Sequence, residues 1–370
     1  MTEYVNDPYT SEARIYDTDA WNAVRNLDPW VSSSLLQKAM RRGEVGLAVA
    51  AGLRLYQLRG AAIWSRLLII TVEDIGIASP DSLSMMVQVA KLARKERKGD
   101  FIGVVARVIE TLTVVPKCRG SDYLVCAARH HPAFEAELCV VGKQSIDQRI
   151  TMAVDRSLPI VSRAIAAWYA SGLNWDGESR VGDGDLPKLL AAFADAGVPD
   201  AFLSDVAYAC ERTRHPITIM LPVIWAVAYS PDNLMMPHMI DLALPVSSAI
   251  RGIPSYTYDK HTSAGKASIG RFAIENGQVA AILNKYVPDF RAADAAAMAA
   301  FYVDAIPVKP QFVWQGSADL ERLGREADFF KIGFPIDGIE ELIEAVNDNL
   351  CQLNALRSRR LLAKTNQGAK

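Results

Sequence analysis

Apolar residues recur every three or four positions along most of this chain, which is the spacing of one face of an α-helix. The segment VGLAVAAGLRLYQLRG at 45–60 shows the pattern and stops at Gly60, and the segment 61–79 is closed by Pro80. Glycine and proline at these positions are typical helix ends. Because the connections are short, the sequence predicts an antiparallel helical array and an all-α fold.

Similar patterns continue to the end of the chain, and strand signals are weak. A glycine-rich, acidic segment at 173–185 is the clearest internal boundary. We therefore predict an N-terminal extension (1–31), a helical domain (32–172), a linker (173–185) and a second helical domain (186–370). Further helices are predicted at 80–97, 99–115, 157–172, 185–197, 201–215, 217–230, 267–287, 291–306 and 338–364. Short strands are suggested only at 136–142 and 311–314.

Composition excludes several classes of protein. The 370 residues are 50% hydrophobic, and 40 basic side chains nearly balance 42 acidic ones, so no global field draws the protein to nucleic acid or membranes. The five cysteines are scattered and form no C-x-x-C pair, which argues against a disulfide framework and a zinc site. No apolar run is long enough to span a membrane. We predict a cytoplasmic protein with no metal, no cofactor and no membrane contact.

The stretch AGKAS at 264–268 looks like the end of a phosphate-binding loop. The pattern G-x-x-x-x-G-K-[ST] would need glycine at position 260 and a hydroxyl at position 267. The chain has Lys260 and Ala267 there. Because no other segment fits the pattern, the sequence does not predict an ATPase.

Two segments carry a resemblance to a known family. They are LLQKAMRRGEVGLAVAAGLRLYQLRGAAIWSRLLIITVEDIGIASPDSL at 35–83 and ARVIETLTVVPKCRGSDYLVCAAR at 106–129. Over about residues 32–131 the order and spacing resemble the C-terminal helical region of the MgsA group of AAA+ ATPases. That group is related to the Werner-helicase-interacting proteins and, more distantly, to clamp loaders.

The resemblance implies a helical array like a clamp-loader collar that assembles into a homotetramer. In the family this region follows an ATPase module that acts at replication forks. Only about 31 residues precede the match here, so the motor activity is not expected. The resemblance thus implies an oligomeric scaffold for DNA replication, repair or modification, with replication proteins as candidate partners. The missing module also suggests a specialised, phage-encoded descendant.

Two parts of the resembling region contain charged residues with alternative interpretations. Glu73 and Asp74 would serve as paired carboxylates, or one would pair with a base such as Arg66 while the other caps a helix. Lys117 and Arg119 would hold phosphate, or would stand at a plain helix start. In both cases we favour the structural interpretation.

The basic segment KLARKERKG at 91–99 is a candidate surface for DNA. Lys95 and Lys98 would contact phosphates there and make binding depend on salt. Cations at the C-terminal end of a helix are also favourable without any ligand. Both interpretations remain open, and the second is favoured.

The stretch YDKHTSAGKASIGRF at 258–272 is the strongest candidate for a functional site. It gathers tyrosine, acid, histidine and lysine within nine residues. If a helix begins near Thr262 or Ser263, its N-terminal end favours an anion. We predict that Lys260, His261, Lys266 and Arg271 hold a phosphate, nucleotide or DNA backbone, and that Asp259 orients or deprotonates a neighbouring group. The alternative is a helix-capping segment whose lysines stay in water.

Three functions follow from these observations. The first is a non-motor oligomeric DNA accessory protein that binds DNA or nucleotide phosphate. The second is a transferase that modifies DNA or nucleotides, with Asp259, His261 and Lys266 as catalytic residues. The third is a purely structural assembly subunit. Lys95, Lys98, Lys117, Arg119, Lys260 and Arg271 are the predicted phosphate-binding residues.

Overall fold

The fold is all-α, as the sequence predicts, in a computed structural model that describes residues 7–96, 100–174 and 183–367. Twenty α-helices occupy these described ranges. They are α1 (Pro8–Tyr16), α2 (Thr18–Val24), α3 (Pro29–Arg42), α4 (Val45–Arg59), α5 (Ala62–Ile70), α6 (Pro80–Lys95), α7 (Ile102–Val114), α8 (Gly120–His130), α9 (Glu135–Gly142), α10 (Ile146–Val154), α11 (Ile160–Ser171), α12 (Leu186–Asp195), α13 (Asp200–Thr213), α14 (Met220–Ala228), α15 (Ser263–Glu275), α16 (Gly277–Tyr286), α17 (Asp289–Ala300), α18 (Ser317–Lys331), α19 (Ile339–Asp348) and α20 (Leu350–Gln367).

Four short strands make two small antiparallel pairs in the described part of the chain. They are β1 (His238–Ile240), β2 (Ala249–Ile250), β3 (Ile253–Pro254) and β4 (Gln311–Val313). β1 pairs with β4, with His238 opposite Val313, and β2 pairs with β3. The predicted strand at 311–314 is confirmed by β4. The predicted strand at 136–142 is wrong, because this segment is helix α9 with Val141 as its buried residue.

Several predicted helices are shorter than their patterns suggest. The segment 267–287 is divided at Asn276, whose side-chain oxygen accepts a hydrogen bond from the Val279 N–H at 2.9 Å and so begins α16. The segment 338–364 is divided at Asn349, between α19 and α20. In both places an apolar pattern continues across a short polar break.

Two helices end in a π-helical turn rather than at a cap. The turn Thr71–Ile75 follows α5 and leads into a 3-10 turn, Gly76–Ala78. The turn Phe301–Ala305 follows α17. The prediction of one continuous helix over 61–79 is therefore wrong in its second half. π-turns are rare and often occur at functional sites.

One cluster of buried apolar side chains extends from Ala13 to Leu356. It includes Trp21 and Val24 from the predicted N-terminal extension. Helix α18 packs on α8, so elements of the two predicted helical domains are in contact. Residues 175–182 of the predicted linker lie outside the described residues, and the division into domains stays a prediction.

Helix α15 begins where the sequence predicts. The Thr262 hydroxyl accepts a hydrogen bond from the Gly265 N–H at 3.1 Å, which makes Thr262 the N-cap. Gly265 faces the preceding turn so closely that a Cβ would overlap the backbone of Tyr258 and Asp259. This glycine therefore lets α15 lie directly against the turn that presents Asp259.

We expect Gly265→Ala to lower the free energy of unfolding by about 2 kcal/mol or more, because backbone atoms cannot move aside as a flexible side chain can. Gly270→Ala is the matched control, since its Cβ would stand 3.9 Å from the Ala293 Cβ, an ordinary contact. The control should gain up to about 1 kcal/mol from helix propensity. Urea unfolding followed by circular dichroism measures both, and equal effects would contradict the close approach.

Candidate functional site: a cation-lined cavity beside helix α3

A cavity of about 310 Å³ opens beside α3. It is lined by Trp30, Ser33, Ser34, Gln37, Lys38, Arg41, Arg66, Glu73, His261 and Phe301. The α3 residues occupy positions 30, 33, 34, 37, 38 and 41, and this spacing of three and four places them on one face of the helix. The cavity wall is therefore mainly a polar stripe of α3.

The other lining residues come from elements far away in sequence. Glu73 lies in the π-turn after α5, and Phe301 begins the π-turn after α17. His261 belongs to the turn before α15. The two π-turns thus place one side chain each in the same cavity.

Lys38 is one of two buried cations that line the cavity, with Arg41 as the other. Its Nζ lies 2.7 Å from the Ser34 Oγ and 2.9 Å from the Asp259 Oδ2. Burial lowers the pKa of Lys38, although the Asp259 carboxylate opposes this shift. Burial alone would raise the pKa of Asp259, but the Lys38 ammonium outweighs it and the net shift is downward. We therefore describe Lys38 and Asp259 as a charged pair.

Asp259 also shapes the turn that carries His261. Its Oδ1 accepts the His261 backbone N–H at 3.0 Å, and its carbonyl accepts the Thr262 hydroxyl at 3.2 Å. The Asp259 side chain is fully buried. Asp259 therefore joins the turn to α3 through Lys38, and its carboxylate does not line the cavity.

His261 stands at the opening of the cavity. Its ring meets the Phe301 ring edge to face, with centroids 5.3 Å apart. The residue is exposed, yet desolvation by the surrounding protein lowers the pKa of the imidazole to about 4. At neutral pH this imidazole is uncharged and has one nitrogen able to accept a proton.

Glu73 and Asp74 share two arginines. The Arg41 Nη2 lies 2.8 Å from the Glu73 Oε1, and the Arg41 Nε lies 2.8 Å from the Asp74 Oδ1. Arg119 also contacts both carboxylates. Burial alone would raise the pKa of Glu73, but Arg41 and Arg119 outweigh it and hold the pKa at about 2.

The favoured structural interpretation of this acidic pair is correct in that both carboxylates bind neighbouring side chains. The partners named for them are wrong. Neither acid forms an ion pair with Arg66 in the described structure, and Asp74 caps no helix, because it accepts side-chain hydrogen bonds from Gln37, Arg41 and Arg119. The π-turn lets adjacent acids reach the same cations, which the ordinary helical angle of about 100° would not.

Arg66 differs from the other cations of the cavity. Its guanidinium donates to the Gln37 Oε1, a neutral acceptor. Its Nε is buried without a hydrogen-bond partner among the described residues. No ion pair joins this guanidinium to a carboxylate of the described chain, although Arg66 is near enough to Glu73 to help lower the pKa of that carboxyl, whereas Lys38 and Arg41 are both paired.

The remaining residues of the predicted 258–272 site do not line the cavity. Lys266 is exposed on α15. Lys260 turns to the other side, with its Nζ 2.9 Å from the Met298 Sδ and 4.1 Å from the centre of the Phe301 ring. Arg271 is exposed and pairs with Glu275. Of the predicted catalytic residues, the fold brings together Asp259 and His261.

Two other predicted phosphate-binding residues are buried. Lys117 is fully buried, donates to the Thr113 carbonyl at 3.0 Å, and has a pKa lowered to about 8 by burial. Arg119 is buried against the acidic pair. Since neither reaches the surface, we withdraw both from the phosphate-binding set. Lys95 is exposed at the end of α6, and Lys98 lies outside the described residues.

Comparisons with known proteins do not identify a family for this chain. No family model, no curated protein and no solved structure matches the chain. Among the residues that the structure describes, no helix combines the length and the hydropathy needed to cross a bilayer. The functional argument therefore depends on the geometry of the cavity.

Sequence reasoning missed the α3 stripe and Arg66. A signal was present: Ser33, Ser34, Gln37, Lys38 and Arg41 are polar residues at helical spacing in a segment with a buried apolar side. Such a stripe normally indicates the solvent face of a helix. The α3 stripe is buried against residues 259 and 261. These residues lie far along the chain, so the sequence of α3 itself does not reveal the burial.

We expect Asp74→Asn to lower the free energy of unfolding by about 3–5 kcal/mol, because two buried arginines lose their shared carboxylate. Asp147→Asn is the control: its pair with Lys188 is 2.7 Å long, but the two side chains are 75% and 55% exposed. That change should leave stability nearly unaltered. Thermal and urea unfolding give both values, and a small effect of Asp74→Asn would show that the network is not needed for stability.

Proposed function

We propose that this chain is a non-motor accessory protein of DNA transactions that holds the phosphate of a nucleotide or of a DNA end in the α3 cavity. The observation that carries the proposal is Arg66, a cavity-lining guanidinium without a carboxylate partner in the described structure. A guanidinium offers a planar fork of donors that matches a phosphate.

The groups around Arg66 suit the same ligand. Ser33 and Ser34 line the cavity with hydroxyl groups. Trp30 also lines the cavity, and this residue is 71% exposed. Hydroxyl groups donate to phosphate oxygens, and an exposed indole offers a face on which a base can stack. This combination supports a nucleotide rather than a simple inorganic anion.

The size of the cavity favours a single nucleotide. Its volume of about 310 Å³ lies at the lower end of the usual range for small-molecule sites. A DNA duplex would not enter it, but a mononucleotide or a terminal, unpaired nucleotide would.

The wider setting is part of the proposal. Roles in replication, repair or modification, replication proteins as partners, a homotetramer, a phage origin and a cytoplasmic location come from the sequence and from the resemblance over residues 32–131. The cavity supports only the phosphate-binding element of this proposal.

We expect deoxynucleoside monophosphates to bind the wild-type protein and Arg66→Ala to bind them about 10- to 150-fold more weakly, the range expected for hydrogen bonds to a charged group. Arg66→Lys keeps the charge without the fork and should lie between the two. Isothermal titration calorimetry at low salt measures all three.

The control for this titration is Arg322→Ala, since Arg322 is half exposed on α18 and pairs with Glu326. It should bind as the wild type does. Absence of binding of every deoxynucleoside monophosphate to the wild-type protein would refute the proposal. Equal affinity of the wild-type protein and Arg66→Ala would show that the nucleotide binds at a different site.

A transferase is the second candidate, favoured by the position of His261. The uncharged imidazole lines the same cavity as Arg66 and the serine hydroxyls. A general base must be unprotonated at working pH and within reach of the ligand. In this version of the proposal His261 accepts the proton of an attacking DNA hydroxyl, whose oxygen bonds to the α-phosphorus of the nucleoside triphosphate while the bond to the leaving pyrophosphate breaks. Asp259 holds the turn in place, and Lys266 takes no part.

We expect His261→Ala to abolish transfer of label from nucleoside triphosphates to DNA while changing the melting temperature only slightly, because the residue is exposed and an edge-to-face contact such as that with Phe301 contributes about 1 kcal/mol. His238→Ala is the control, since His238 is exposed on β1. A label-transfer assay with parallel thermal melts measures both quantities. No transfer by the wild-type protein would exclude this candidate. A large loss of stability in His261→Ala would identify the ring as a packing element.

A further inference from the structure

A second and larger cavity, of about 720 Å³, lies on a different part of the fold, between α5, α6 and α13. We call it the aromatic groove. Its aromatic lining consists of Tyr56, Trp64, Phe101 and Tyr208, and its cationic lining of Arg94 and Arg212. None of these residues lines the α3 cavity.

The aromatic side chains form a connected wall. The rings of Trp64 and Phe101 meet edge to face, with centroids 5.8 Å apart, and the Tyr56 centroid lies 6.4 Å from that of Trp64. Trp64 and Phe101 are buried, whereas Tyr56 and Tyr208 are partly exposed. The wall is therefore buried at its base, and its two tyrosine rings remain partly exposed although Tyr9 meets the Tyr56 ring edge to face at 5.9 Å.

The cations converge on this wall from two helices. Arg94 lies in the last turn of α6 and Arg212 in the last turn of α13. The Lys91 Nζ stands 5.0 Å from the centre of the Tyr208 ring. In the described part of the chain none of the three forms an ion pair with a carboxylate. Arginines at these helix ends also offset the partial negative charge of the carbonyl groups.

The groove is not uniformly positive. Asp100 lies close enough to raise the pKa of Tyr56, although desolvation contributes more to that shift. The Asp100 side chain is engaged locally, since its Oδ1 accepts the Ile102 N–H at 3.1 Å. Phosphate groups would therefore lie toward Arg94 and Arg212 rather than toward Tyr56.

We infer that the aromatic groove binds a single-stranded segment of nucleic acid, with a base against Tyr56 and Tyr208 and the backbone phosphates on Arg94 and Arg212. Aromatic side chains beside cations are the general means of holding single strands, because every base has a face that can stack. A duplex keeps its bases inside and its phosphates outside, and it would not enter a concave aromatic cavity. The basic end of α6, with Lys95, extends the positive surface beyond the groove.

This inference concerns a different site from the proposed nucleotide site, and the two can fail separately. The groove is probed with oligonucleotides and groove variants, and the α3 cavity with mononucleotides and Arg66 variants. Loss of one binding activity with retention of the other would identify which site is wrong.

The test is fluorescence anisotropy of a labelled thymidine oligonucleotide about ten residues long, within the usual site size for a single-strand binder. We expect the double variant Arg94→Glu/Arg212→Glu to bind at least about tenfold more weakly and with a smaller dependence on salt. Tyr56→Ala should weaken binding at least about fivefold, the lower value for loss of one stacked base.

The matched control is Arg359→Glu/Arg360→Glu, a double charge reversal at two exposed positions of α20. It should retain wild-type affinity. Wild-type affinity in the groove variants would overturn the inference. It would also be overturned if inorganic polyphosphate bound as tightly as the oligonucleotide, or if an acidic peptide with an aromatic residue bound while the oligonucleotide did not. The last result would assign the groove to a protein partner.

Discussion

The arrangement of the site depends on the hydrogen bonds and ion pairs that the Asp74 carboxylate accepts. This carboxylate is fully buried and accepts hydrogen bonds from Gln37 and Arg41 on α3 and from Arg119 at the start of α8. A buried charge without partners is very costly, so these three elements must meet at one place. The backbone adds to the same junction, because the Asp74 carbonyl accepts the Cys118 N–H at 2.9 Å. Once α3 is fixed there, its polar stripe must face the turn that carries Asp259.

Much of the fold could be predicted because helix ends have local causes. Gly60 ends α4 as expected, Pro80 begins α6, and Thr262 caps α15. The divisions at Asn276 and Asn349 were missed, since a single polar residue within an apolar pattern is a weak signal. The π-turns were missed for a different reason: each is a single rare turn of five residues at a helix end, too short to show a hydrophobic period of its own.

The candidate site was predicted only in part. The turn at 258–262 was found from its composition, but its partners on α3 lie far away in sequence. Lys117 and Arg119 were predicted to hold phosphate or to stand at a plain helix start, and neither interpretation included their burial. What buries them is tertiary structure: carbonyl groups around Lys117 and the acidic pair around Arg119. Lys266 was assigned to the site because helical spacing places it on one face with residues 261 and 262, but the sequence does not show which face of α15 turns toward the cavity.

The charge pairing explains why Arg66 is the residue that remains available to a ligand. Three cations of the cluster, Lys38, Arg41 and Arg119, are each bound to a carboxylate with defined geometry. Moving any of them toward a ligand would break a buried pair. Arg66 is bound only to an uncharged amide in the described structure, so it would exchange that weaker interaction for a phosphate at little cost. The paired cations thus act as a rigid wall, and among the described lining residues Arg66 is the guanidinium that forms no ion pair, although Glu73 lies near enough for the two charges to interact.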